Sequence, residues 1–205
     1  MDEIILVAPR KEVFRDEGLF FQGVLNSKGN EDFVDLIIKN INNNLSTMRR
    51  GDAEENTSYK QPIPYAVIKR GNELYGYTRL SGGGETRLHG KISLGLGGHM
   101  NPIGNTDDFK ELILLNLNRE LEEEVTILST PNSEIKLDII GLINDDENEV
   151  GRVHIGILAF IELSQDAEVT VNETEQLEGK WFTKEELLEN YERLESWSKF
   201  VVDAF

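Results

Sequence analysis

Glu111-Leu112-Ile113-Leu114-Leu115-Asn116-Leu117-Asn118-Arg119-Glu120-Leu121-Glu122-Glu123-Glu124-Val125-Thr126-Ile127 is the stretch on which the reading of this chain turns. It contains neither proline nor glycine and repeats leucine and isoleucine at helical spacing, so a helix is expected over about Phe109–Val125. At about 100° per residue, Glu120, Glu123 and Glu124 share an arc of roughly 100°. Leu114, Leu117, Leu121 and Val125 form the neighbouring apolar stripe, expected to seat the helix against a sheet. The acidic arc is costly alone, since like charges three or four residues apart each destabilise a helix by about 0.2–0.5 kcal/mol. Magnesium would relieve that repulsion, because it takes carboxylate oxygens and keeps positions for water and substrate phosphates. Metal bound there would neutralise pyrophosphate charge and activate water, which suits hydrolysis at phosphorus. A merely solvated acidic face would not require Arg119 directly before Glu120, or Glu111 with seven residues between it and the arginine.

Working outward, Ile92-Ser93-Leu94-Gly95-Leu96-Gly97-Gly98 reads as a Gly-rich strand before the helix. Tyr65–Lys69 and Glu73–Leu80 are strand-like and joined by a turn at Arg70-Gly71-Asn72. After the helix, strands are expected at Ile135–Ile143 and Val153–Ile161, with the acidic loop Asn144–Val150 between them. Thr183 with Glu186 is a capping box opening a C-terminal helix. Residues 1–59 read as an N-terminal extension with a strand at Ile4–Ala8, a helix at Glu31–Asn43 and a polar loop at Arg49–Asn56. Dimerisation, a lid or substrate selection are all open to this segment. The order of elements is that of a mixed α/β sandwich.

Glu111-x₇-Arg119-Glu120-Leu121-x-Glu123-Glu124-x-x-Ile127 resembles the Nudix box, G-x₅-E-x₇-R-E-U-x-E-E-x-G-U with U aliphatic, and Gly97-Gly98 resembles the glycine pair that opens it. Trp181-Phe182-Thr183-Lys184-Glu185-Glu186-Leu187 is similar to a segment that follows the last core strand of that family. The resemblance covers residues 60–190 and implies a Nudix hydrolase domain at 60–205: an α/β/α sandwich with a mixed sheet, hydrolysing a small nucleoside diphosphate linked to another group, with Mg²⁺ or Mn²⁺ as cofactor. It implies Glu120, Glu123 and Glu124 as metal ligands, Arg119 as the residue bracing a carboxylate, and Glu111 as a further metal candidate. Two departures stand out. Twelve residues separate Gly98 from Glu111 where the family has five, so an insertion at about His99–Asn105 reshapes the loop, and Asp108 with Glu111 reads equally as a helix cap. Thr126 stands where the family has glycine, so the helix exit must differ. A non-catalytic nucleotide or ADP-ribose sensor is the alternative reading. An isopentenyl-diphosphate type of isomerase would be expected to use a cysteine, and the chain has none.

Substrate phosphates also need cationic and neutral donors. Arg79, Arg87, His89, Lys91 and His99 flank the Gly-rich strand, and Arg79, Arg87, Gly97, Gly98 and His99 are the expected substrate contacts. Ser81-Gly82-Gly83-Gly84 could cradle phosphate but lacks the ending of a P-loop. Asp145–Glu149, Glu173, Glu175 and Glu178 are candidates for a further ligand or general base. His154, on an apolar strand, reads as a hydrogen-bonded core histidine rather than a catalyst, and Trp181 and Trp197 as packing residues.

Composition sets the outer limits. A chain of 205 residues suffices for one well-cored domain. The formal net charge of −17 argues against nucleic acid as a partner and leaves a small phosphorylated substrate, admitted by metal and local basic groups. No apolar run approaches the roughly 20 residues that span a bilayer. The start, Met1-Asp2-Glu3-Ile4-Ile5, reads as a strand rather than a signal peptide. No membrane partner and a cytoplasmic address are therefore expected, with a homodimer compatible with the sequence.

Overall fold

The computed structural model of the chain describes residues 3–80, 89–104, 106, 108–128 and 136–205. Strands β1 (Ile4–Pro9), β2 (Gly23–Asn26) and β3 (Ser46–Arg49) alternate with helices α1 (Arg10–Val13), α2 (Glu31–Asn43) and α3 (Arg50–Glu54). The hairpin β4 (Tyr59–Arg70) and β5 (Glu73–Arg79) precedes two short strands, β6 (Ile92–Ser93) and β7 (Gly95–Leu96). Helix α4 (Phe109–Glu124) runs into β8 (Val125–Leu128). Then come β9 (Lys136–Asn144), α5 (Glu149–Val153), β10 (His154–Glu162), β11 (Glu168–Val171), β12 (Leu177–Phe182), α6 (Lys184–Glu189), a 3-10 turn at Tyr191–Arg193 and α7 (Ser196–Ala204). A large mixed sheet with helices is the α/β architecture expected of the sequence.

The contacts divide the chain into two compact units: 1–65 with 97–118 and 140–158, and 66–96 with 119–139 and 159–205. In the first, β1 pairs antiparallel with β3 and with the start of β4, and β2 pairs with β9. Helix α2 buries Val34, Ile37 and Ile41 on one face, and Asn40 joins them by donating to the Val13 carbonyl at 3.2 Å. The expected polar loop at Arg49–Asn56 is instead the end of β3 and helix α3. Arg49 pairs with Asp52 at 2.6 Å and Arg50 with Glu54 at 2.8 Å, while Ala53 packs on Ile5 and Val7. Local ion pairs and one small buried residue make this short helix, which apolar periodicity cannot register.

The residues inserted between Gly98 and Glu111 are anchored within the same unit. Asn116 of α4, fully buried, accepts from the Asn101 backbone N–H at 2.8 Å and donates to its carbonyl at 3.2 Å. Met100 is fully buried and its carbonyl accepts from Leu6 of β1 at 2.7 Å.

In the second unit β5 is paired on both sides, with β12 in register from Leu177↔Arg79 to Phe182↔Leu74 and with the end of β4 through the expected turn, where Gly71 takes φ 56°. β6 pairs with β5, β7 with β4, and β8 with β11. The Thr183–Glu186 capping box is present in full. Among the described residues no helix is long and apolar enough to cross a membrane.

Candidate functional site

Helix α4 is turned differently from the expectation. Its buried residues are Phe109, Ile113, Asn116 and Leu117, whereas Leu114 and Leu121 are half-buried and Leu115 is exposed. At about 100° per residue, Glu120 and Glu124 lie within the arc of this buried face rather than beside it. Both are half-buried and Glu123 is exposed. The leucine count misplaced the stripe because Asn116 and the glutamates take inward positions that a hydrophobicity reading assigns to solvent.

Arg119 braces the cluster. Its Nη2 lies 2.6 Å from Glu120 Oε1, in a pair whose glutamate side chain is 13% exposed, and its Nη1 lies 3.4 Å from the 61% exposed Glu123. The first contact is shielded and strong, and the second is long and weak.

The helix exit shows why threonine replaces glycine. α4 passes directly into β8, so no left-handed residue is needed, and Thr126 pairs with Thr170 of β11. The carbonyls left over at the helix end are taken by Asn172. Its Nδ2 donates to the Glu122 and Glu123 carbonyls at 3.1 Å each, its backbone N–H donates to that of Glu124 at 2.8 Å, and the Thr126 hydroxyl donates to its Oδ1 at 2.7 Å. Three glutamates at the negative end of a helix dipole oppose each other and the dipole, and this cap offsets part of that cost. Sequence reasoning missed Asn172 because a helix cap supplied from another strand leaves no local pattern.

The charge of Glu124 is felt by Tyr77 and Arg79 of β5. The buried Tyr77 hydroxyl donates to the Gly95 carbonyl at 3.3 Å, and burial, followed by the negative charges of Glu124 and Glu195, pushes its pKa upward. Arg79 lies with its Nε 3.1 Å from Glu195 Oε1. Burial opposes the Arg79 charge, but Tyr77, Glu195 and Glu124 outweigh it and hold the pKa above the ordinary value. A permanent cation and an acidic helix end therefore share one electrostatic environment in this unit.

The other expected contacts are distributed as follows. Glu111 is exposed in the first turn of α4, where the Thr106 hydroxyl donates to it, nine residues before Glu120 in the same helix. Asp108 accepts from the Lys110 N–H at 2.9 Å, so the helix start is capped by Asp108 itself. Gly97 takes φ 151°, and a Cβ there would lie 1.8 Å from the Pro64 carbonyl oxygen, so its requirement is close backbone approach. Gly98 follows it half-buried. Lys91 donates to the Glu192 carbonyl at 3.0 Å, and His89 is half-buried. Arg87 and Ser81–Gly84 lie outside the described residues.

Asp145 and Asp146 of the acidic loop are engaged internally. Asp145 accepts from Gln22 at 2.9 Å and from Asn148, and Asp146 pairs with buried Lys60 at 2.8 Å and with Arg10 at 2.6 Å. Glu173, Glu175 and Glu178 are exposed. Trp181 packs edge-on against Tyr75 with Arg70 stacked 4.1 Å from its ring centre, and Trp197 is half-buried in α7. His154 is hydrogen-bonded, as expected of a core histidine: its Nδ1 lies 2.7 Å from the Val150 carbonyl, and its Nε2 faces Nε2 of His99 at 3.2 Å.

Among the described residues no three Asp, Glu or His side chains converge to cage an ion, and the Arg119 guanidinium stands against Glu120 and Glu123. The donor chemistry nonetheless suits a hard cation: three carboxylates, two of them half-buried against their own charge, on one helix end.

No family model matches the chain. It is 54% identical to Protein YmaB of Bacillus subtilis (strain 168), over 99% of this chain and 97% of that protein. The crystal structure of Tm1382, assigned to the Nudix hydrolases, superposes with a TM-score of 0.76 and 28% identity, covering 98% of this chain and 97% of that one. The MutT Nudix hydrolase from Burkholderia pseudomallei gives a TM-score of 0.46 at 17% identity, over 70% of this chain and 96% of that one.

Proposed function

We propose, from the fold and the 28% identity that the chain shares with a structure assigned to the Nudix hydrolases, that it is a Mg²⁺-dependent pyrophosphohydrolase of that superfamily, cleaving a small nucleoside diphosphate linked to another group. The observation that carries the proposal is the braced acidic end of α4: Glu120 and Glu124 half-buried, Glu120 held by Arg119 at 2.6 Å, with the Arg79 cation of β5 within electrostatic reach of Glu124. A metal-assisted diphosphate site needs both, carboxylates toward the cation and positive charge toward the phosphate oxygens.

Glu120, Glu123 and Glu124 would hold Mg²⁺ or Mn²⁺. Glu111, whose carboxylate accepts from the Thr106 hydroxyl in the first turn of the helix, stays the further metal candidate. When bound, the ion supplies neutralisation of the scissile phosphates and a water of lowered pKa. Arg119 fixes the Glu120 carboxylate, Asn172 fixes the backbone of the turn that carries the glutamates, and Arg79, held by Glu195, would supply positive charge to a phosphate oxygen. Arg79 stays charged throughout and has no proton to give at neutral pH, so its part is electrostatic. A cytoplasmic address and a homodimer belong to the same proposal.

A ligand-sensing role without turnover is favoured by one feature, the contact of Arg119 with two of the three glutamates. Product release from nucleotide sugars, dinucleoside polyphosphates, ADP-ribose, NADH and nucleoside triphosphates in Mg²⁺ or Mn²⁺, run beside calorimetry, separates the readings. Metal-dependent cleavage of one class is expected. Tight binding with no product over hours would establish the sensor instead.

A further inference from the structure

A histidine pair in the first unit has chemistry that the carboxylate helix does not use. His154 Nδ1 lies 2.7 Å from the Val150 carbonyl, so that nitrogen carries the proton and Nε2 presents a lone pair. Facing it at 3.2 Å is Nε2 of His99, with the ring centres 5.2 Å apart and both side chains half-buried. Two imidazoles on one first-row ion, with metal–nitrogen bonds of about 2.0–2.1 Å, place their nitrogens ~2.9–3.4 Å apart at octahedral to tetrahedral angles. The carbonyl on the far nitrogen of His154 is the kind of outer partner that metal-binding histidines use to fix ring and tautomer.

The surrounding charges are compatible with a cation. Glu3 and Glu54 act on His99, and Glu54 acts on His154, against Arg50 and Lys60. Those two cations are already matched: Arg50 bonds Glu54 at 2.8 Å and Glu3 at 3.0 Å, and Lys60 bonds Asp146 at 2.8 Å. Burial, then Arg50 and His154, pushes His99 down to about 4, and burial first of all lowers His154. Both rings are therefore neutral at pH 7, the form that binds metal. The competing account is a plain hydrogen bond in which His99 donates through Nε2.

We propose that His99 and His154 form a two-histidine site for a borderline divalent ion of the Zn²⁺ or Co²⁺ class, completed by solvent. Nitrogen donors select such an ion over Mg²⁺, so this site differs in kind from the all-oxygen set on α4.

The test is titration of the full-length protein with Co²⁺, and with Zn²⁺ against a chromophoric chelator, in excess Mg²⁺ to load oxygen-only sites. One equivalent is expected, weakened about tenfold or more in His99→Gln and in His154→Gln and unchanged in Glu123→Gln. Because either histidine variant can lose its fold, ¹⁵N spectra of the wild-type imidazoles on adding one equivalent of Zn²⁺ give an independent reading, with both Nε2 resonances expected to shift. Absent binding, binding unchanged in both histidine variants, or unmoved imidazole resonances would overturn the site and leave the hydrogen-bonded pair.

Discussion

Asn172 joins the end of α4 to β11 through its side chain and its backbone, taking the carbonyls of Glu122, Glu123 and Glu124. Asn172→Ala removes the side-chain share, which at this exposed position is worth about 1 kcal/mol. The backbone bond to Glu124 survives in the variant. The expected outcome is a Tm lowered by a few degrees together with weaker Mn²⁺ binding, measured by paramagnetic relaxation. A changed Tm with unaltered ion affinity would reduce Asn172 to a structural cap. Gly97 is a residue of another kind, legible in the sequence as one of a glycine pair but not for its actual reason. Gly97→Ala sets a methyl against the Pro64 carbonyl at a positive φ, and denaturant unfolding should show a loss of about 3 kcal/mol or more.

At the scale of the element, α4 was legible as a helix to within a residue, and so were α2, the β4–β5 turn and the capping box of α6. Each rests on short-range chemistry that a single stretch of sequence contains. The rotation of α4 was not legible, because the burial of Asn116, Glu120 and Glu124 is decided by partners far away in the chain. The rotation can be tested by truncation. Ile113 is 2% exposed and lay outside the expected stripe, while Leu121, inside it, is only half-buried. Ile113→Ala should cost about 2–4 kcal/mol and Leu121→Ala clearly less. The opposite order in chemical denaturation would restore the stripe through Leu114, Leu117, Leu121 and Val125. The helix exit follows the same logic: Thr126 marked a departure from the family pattern, but only the pairing of β8 with β11 explains it.

For the whole molecule, the net charge of −17 and the depressed histidines act on stability in different pH ranges. His99 binds its proton near pH 6.5 when unfolded and only near 4 when folded, so between those values the unfolded chain holds more protons. Stability therefore falls as pH drops through that window, by at most about 1.4 kcal/mol per pH unit for one histidine, and levels off below it. Protonation of carboxylates relieves self-repulsion mainly below about pH 5, which separates the two effects. Urea unfolding of wild type and His99→Gln from pH 7 to 4.5 should show a steeper decline in the wild type, and equal slopes would remove His99 from the account. The sequence made the acidic balance plain, but the facing of His99 and His154 comes from residues 55 positions apart and has no signature in either segment.

The most direct measurement is turnover of the best diphosphate substrate by Glu124→Gln at saturating Mg²⁺, with the fold checked by circular dichroism. If the end of α4 holds the ion against phosphate oxygens, activity falls about a hundredfold or more while the spectrum is unchanged. Full activity in a folded Glu124→Gln protein would contradict the account.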